Sequence, residues 1–153
     1  MLAGLAGSLV TEYFAEELLL DLFGAEADGS SAASARLRLA RERRRVSAGL
    51  GPVCGPRQVL DLVSLPLVTA LGFQAGESRP IGRGTSILTG LAGPQGSPLL
   101  VTTGWGESLD GVWREAVRAS IAAAAPWCLC VNGRQVRLVD GRRTYARRYL
   151  QFD

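Results

Sequence analysis

Three features of this 153-residue chain predict an α/β fold, a mixed sheet with flanking helices. Strand-like segments joined by short Gly/Pro links lie between residues 73 and 103. A long amphipathic pattern follows over Ser108–Ala125. Behind it, Trp127–Val131 is apolar at every position, as in a strand buried on both faces. A strand, a long helix and a second buried strand imply a crossover connection, and hence a mixed sheet with helices packed on it.

Ser8–Phe23 reads as a helix capped by Ser8, with Val10, Tyr13, Phe14, Leu18 and Leu22 as its apolar stripe and Gly24 as its end. Residues 25–34, small and polar, read as a linker. Ala35–Ala48 reads as a second helix, more charged than amphipathic, and Gly49, Gly51, Pro52 and Gly55 mark an irregular connection. Pro56 suits a helix's first turn, and Val59, Leu60, Val63, Leu67, Val68 and Leu71 form its apolar face. Pro66 interrupts that helix and Gly72 closes it.

Phe73–Ser78, Thr85–Leu91 and Leu99–Thr103 are the three strands of an antiparallel meander. The helix from Ser108 to Ala125 carries Leu109, Val112, Trp113, Ala116, Val117, Ser120, Ile121 and Ala124 on one side, with Asp110 and Arg114 as an i,i+4 pair. Asn132-Gly133 signals a two-residue hairpin, Arg134–Val139 returns, and Asp140-Gly141 turns again. An extended Arg142–Phe152 would set Arg143, Tyr145, Arg147 and Tyr149 on one face.

Composition removes whole classes of chemistry. The chain has no His and no Lys, so all 17 basic residues are Arg. That excludes imidazole bases, His-ligated metals, Schiff-base lysines and the phosphate-loop lysine. The abundance of Ala, Gly and Arg is also what a GC-rich genome produces. Three Cys in a mid-sized chain argue against a disulfide scaffold and for a reducing cytoplasm. No apolar run is long enough to span a membrane, and the apolar N-terminus has no preceding basic residue, which makes a poor signal peptide. No cofactor is expected.

The net charge of +3 hides a partition. Residues 36–45 hold six Arg and one Glu, residues 134–153 hold six Arg and two Asp, and the remainder is acidic. Such clusters suit nucleic acid or an acidic partner, or simply a solvated face.

The element order αβββαβ is that of the PD-(D/E)xK nuclease-like core. The residues from Pro98 through Thr103-Gly104-Trp105-Gly106, Ser108-Leu109-Asp110, Trp113-Arg114 and Trp127–Gly133 to Tyr149–Asp153 resemble one group in particular. These are the N-terminal nuclease-like regions of restriction–modification proteins that carry an adenine-specific DNA methylase (type IIG style), and more distantly type I restriction subunits. The resemblance covers roughly the last two-thirds of the chain. It implies a restriction-endonuclease-like core over residues 56–153, preceded by an N-terminal helical segment, 1–55. In active members a carboxylate and a lysine end one strand and an aspartate lies on an earlier one, together holding a metal that activates water. Here those positions fall on Val101 and Thr103, and Ser86–Leu91 has no Asp. The resemblance therefore implies a fold retained without hydrolysis.

Three functions follow as expectations. One is a non-catalytic DNA-binding or scaffolding module in bacterial restriction–modification or phage defence. Another is an interaction module that docks on a DNA methylase without touching DNA. The third is a metal-dependent nuclease with a relocated acidic site at Glu107 and Asp110, although both residues also suit a helix's first turn. For DNA contact the candidates are Arg143, Tyr145, Arg147 and Tyr149, with Arg134 and Arg137, and a second group at Arg41, Arg43, Arg44 and Arg45. The alternative for the first group is an edge strand kept soluble by charge. Trp105 is either a base-stacking platform or a core residue beside Trp113. Cys128 and Cys130 share a strand face; two thiolates fall short of a metal site, and buried small residues is the plainer reading.

Overall fold

A computed structural model describes residues 4–11, 13–18, 30–46, 49–94, 96–143 and 146–153. The strands are β1 (Leu5–Gly7), β2 (Gln74–Ile81), β3 (Ser86–Ala92), β4 (Leu99–Thr103), β5 (Trp127–Val131), β6 (Val136–Asp140) and β7 (Tyr149–Phe152). They form a single sheet in the order β1-β7-β6-β5-β4-β3-β2. Every neighbouring pair is antiparallel except β4 and β5. The parallel pair is joined through helix α3 (Trp113–Ala122), as a crossover demands. The other helices are α1 (Ser30–Val46) and α2, which runs through Pro56–Val59, Leu60–Ser64 and Leu65–Ala70. The α/β class and the mixed sheet are as the sequence predicts. No described helix is long and apolar enough to cross a membrane.

Alternation along the strands sends side chains to two cores. Leu88, Leu99, Val101, Cys128, Cys130 and Val139 pack with Trp113 and Ala116 of α3 on one face. Ile87, Leu91, Leu100 and Val131 pack with Leu60 and Val68 of α2 on the other. Central β4 is buried at all five positions, because helices cover both its sides. α1 lies against the outer side of α2.

Local chemistry accounts for the boundaries. Within α2 the backbone ladder widens to an i→i−5 bond, Leu65 N–H to Leu60 O, one residue before Pro66. The wider turn makes room for a ring that would clash in a regular helix. β2 runs three residues past its expected end and through Pro80, which an edge strand tolerates. Only the turn Gly82–Gly84 and Thr85 remain as the connection.

Other expectations are corrected. Ser8 caps no helix: its Oγ donates to Arg147 O, and the Ser8 and Leu9 N–H groups donate to Tyr149 O. Residues 5–7 pair with β7, and that pairing carries the next two residues, which the predicted helix had included, into bonds with the same strand. Within the described part of that stretch helix is confined to Tyr13 and the single π turn Phe14–Leu18, and residues 12 and 19–23 lie outside the described residues. α1 starts at Ser30, so residues 30–34 are helix and not linker. α3 starts at Trp113 instead of Ser108, because Ser108–Val112 forms turns stabilised by Asp110 N–H to Ser108 Oγ. Its phase is as expected at Trp113, Ala116 and Ser120, which are buried, and at Arg114, which is exposed, but Ile121 and Ala124 of the expected stripe are exposed.

α3 ends in a Schellman motif, Ala125 N–H to Ser120 O and Ala124 N–H to Ile121 O. Its left-handed position is Ala124, at φ 50°, whereas the same motif closes α2 with Gly72. A Cβ in that conformation costs about 1–2 kcal/mol, part of which glycine's unfolded-state entropy takes back. Ala124→Gly should therefore stabilise the fold by about 0.5–1 kcal/mol, seen as a thermal midpoint raised by about 1–4 °C. A lowered midpoint would contradict this C-cap.

Candidate nucleic-acid interface

The loops that leave the C-terminal ends of parallel β4 and β5 meet, and their backbone bonds hold them as a unit. The Gly106 N–H donates to Asn132 O at 2.8 Å, and the Asn132 side-chain Nδ2 donates to Glu107 O at 2.7 Å. Trp105 N–H reaches Cys54 O at 3.0 Å, tying in the segment before α2. Asn132 is buried, and its Oδ1 accepts from the Arg134 and Gln135 N–H groups, closing the β5–β6 turn. Positive φ falls on Gly133 alone in that turn, so Gly133-Arg134 is its central pair, not Asn132-Gly133. The Trp105 ring lies on Gly133, where any Cβ would collide with it. Trp105 is thus half-buried over a turn, neither beside Trp113 nor a free platform.

Val101 and Thr103, the two positions that the resemblance singled out, lie inside this end of the sheet. Val101 is fully buried in the α3-side core. Thr103 is buried as well, and its hydroxyl donates to Glu107 Oε2 at 2.6 Å. Asp110 is engaged elsewhere. Its Oδ1 accepts from Arg137 Nη1 at 2.8 Å, in place of the expected pair with Arg114. Glu107 and Asp110 therefore hold separate partners, and no group of three metal-capable side chains occurs among the described residues.

The arginines divide by burial. Arg137 points into the α3-side core, with its side chain 7% exposed. Its Nε and Nη2 both donate to Gln151 Oε1, at 3.0 and 2.7 Å, and its guanidinium lies 4.2 Å from the Tyr149 ring centroid. That ring in turn meets Trp113 edge-on at 6.3 Å. Arg137 and Tyr149 are thus structural, which removes both from the exposed face expected of them. The extended face over residues 142–152 is also corrected. The Ala146 N–H donates to Arg143 O, and Arg147 has φ 41°, so among the described residues of this segment only Tyr149–Phe152 is strand. Tyr145 lies outside the described residues.

Arg134, Arg143 and Arg147 remain exposed, and Arg142 lies over the Trp127 ring beside Asp140. On α1 all of Arg36, Arg38, Arg41, Arg43, Arg44 and Arg45 are exposed, the last three in the final turn where cations suit the helix dipole. Leu39, Glu42 and Val46 form the less exposed stripe of that helix. The signal missed in the sequence was the acceptor pair for Arg137, since Gln151 and Asp110 lie 14 and 27 residues away.

Compared with protein-family models, with characterised proteins and with solved structures, the chain matches none.

Cys128 and Cys130 face the α3-side core, and all three cysteines are buried and unpaired. The Cys128 thiol is pushed well above its ordinary range by its hydrogen bond with Cys130 and by burial. A thiol so held is a poor nucleophile and a poor metal ligand. Iodoacetamide at about pH 8, near the ordinary thiol pKa, should leave the native chain unmodified and label it only in denaturant. Rapid labelling of native Cys128 would contradict this packing.

Proposed function

We propose that this chain is a non-cleaving, nuclease-like domain that binds DNA through backbone phosphates, within a bacterial restriction–modification or phage-defence system. The element order α2-β2-β3-β4-α3-β5, with β4 and β5 parallel, supports a nuclease-like core. Loss of hydrolysis rests on Val101, an apolar side chain where a metal-binding carboxylate is required, and on β3, which has no acidic residue.

The observation that carries DNA binding is α1, whose six arginines over 17 residues are all exposed. Solubility needs no such density, and guanidinium groups suit phosphate oxygens. Arg134, Arg143 and Arg147 form a second exposed group at the other end of the chain. The reading is one of phosphate contact, since the half-buried Tyr149 ring is engaged by Trp113 and Arg137.

Fluorescence anisotropy with a short duplex, at two or more salt concentrations, tests this. Each phosphate neutralised contributes about −0.9 to the slope of log K against log salt. Replacing Arg41 with Arg45, or Arg143 with Arg147, by Gln should flatten the slope by about 1–2 units, irrespective of sequence. Slopes indistinguishable from the parent in both double variants would refute phosphate binding. In a plasmid-nicking assay with magnesium or manganese the parent should be inactive. Val101→Glu with Thr103→Lys should remain so, because β3 still lacks its Asp. Metal-dependent nicking lost in Glu107→Gln would overturn the non-cleaving assignment.

A further inference from the structure

β2 is the outer strand of the sheet, and it is long for an edge. All residues from Gln74 to Pro80 are exposed, so its outward backbone groups face solvent. The opposite edge, β1, has three residues. A long open edge is a template for a further strand, and its side chains decide which strand fits.

Glu77 and Arg79 line one cavity of 340 Å³, with Leu88 and Leu99 of the sheet and Ala119 and Ala122 of α3. Arg79 pairs with Leu88, whose side chain packs in the α3-side core, so Arg79 and Glu77, two residues before it, face the α3 side of the sheet with open space beside them, and neither enters an ion pair among the described residues. Between them lies Ser78, whose Oγ bonds Thr89 Oγ1 at 2.7 Å.

We propose that β2 pairs antiparallel with β2 of a second copy, about a two-fold axis through Ser78. In that register Glu77 opposes Arg79 of the second copy, and Arg79 opposes its Glu77. One contact thus brings two opposite-charge pairs together on the cavity side. Gly76 opposes Pro80, which has no N–H to offer. The adjacent two-fold registers, centred on Glu77 or on Arg79, set like charges face to face. Pro80 and the irregular pairing between Ala75 and Ser78 further narrow the choice of register. These devices hinder indiscriminate edge pairing and leave one self-complementary arrangement. The cavity gives the four long side chains room to lie along apolar surface while their charged ends meet. A contact made by one edge is small beside a standard interface, so the association is reversible and depends on concentration. It is independent of any contact with DNA.

Sedimentation velocity on the full chain, from about 1 µM to about 1 mM in low salt, tests the proposal, with circular dichroism confirming that each variant is folded. The parent should shift from monomer to dimer with concentration, and added salt should weaken the dimer. Glu77→Arg and Arg79→Glu should each raise the dissociation constant by about tenfold or more. The double variant should return to within about threefold of the parent, because it restores both pairs in reverse. A parent monomeric throughout, a dimer indifferent to both single reversals, or a double variant no tighter than the singles would each overturn the proposal.

Discussion

The buried guanidinium of Arg137 is the constraint on which one half of the sheet depends. A cation removed from water costs several kcal/mol unless its donors are matched. Here Gln151 on β7 accepts two of its N–H groups, Asp110 before α3 accepts a third, and Tyr149 covers its face. The arrangement is asymmetric, because the Asp110 side chain is 74% exposed while that of Arg137 is 7% exposed. Gln151 thus supplies the interior acceptor, and Asp110 supplies counter-charge at the rim. β6, β7 and the entry to α3 are clamped by one side chain. β1 joins the sheet through β7, so the N-terminal strand depends indirectly on the same contact.

The clamp also separates two uses of arginine in a chain that has no other strong cation. Arg137 is matched internally, whereas the α1 arginines and those at 134, 143 and 147 face solvent. Only the second set can meet phosphates without dismantling the core. A similar division holds for the acids: Glu107 accepts from Thr103 and Asp110 from Arg137, so neither stands with a second carboxylate. The end of the sheet that holds Glu107 is a hydrogen-bonded joint between the loops after β4 and β5.

Much of this fold was legible in the sequence because local periodicity carries it. The short Gly/Pro-bounded segments of β3 and β4, the unbroken apolar run of β5 and most of the stripe on α3 each report their own burial. The N-terminus was misread because β1 is three residues long and is defined by pairing with β7, at the far end of the chain. Val10, Tyr13 and Phe14 have helical spacing, but spacing carries no information about a distant edge. The Arg/Tyr alternation from 143 to 149 was misleading for a related reason: Arg147 adopts a left-handed backbone, which breaks the period of two. The candidate site was legible only as charge density. Burial of Arg137 depends on acceptors far away in sequence, while exposure of the α1 arginines follows from the narrow stripe of Leu39 and Val46.

A double-mutant cycle on Arg137 and Gln151, followed by urea unfolding, tests the clamp most directly. Arg137→Met removes the charge, Gln151→Leu removes its interior acceptor, and the double variant removes both. Hydrogen bonds to a buried charge predict a coupling energy of about 1.5–3 kcal/mol, with Gln151→Leu far less harmful once Met is at 137. Effects that add to within about 0.5 kcal/mol would show that the two side chains act independently, and would contradict the central place given to Arg137.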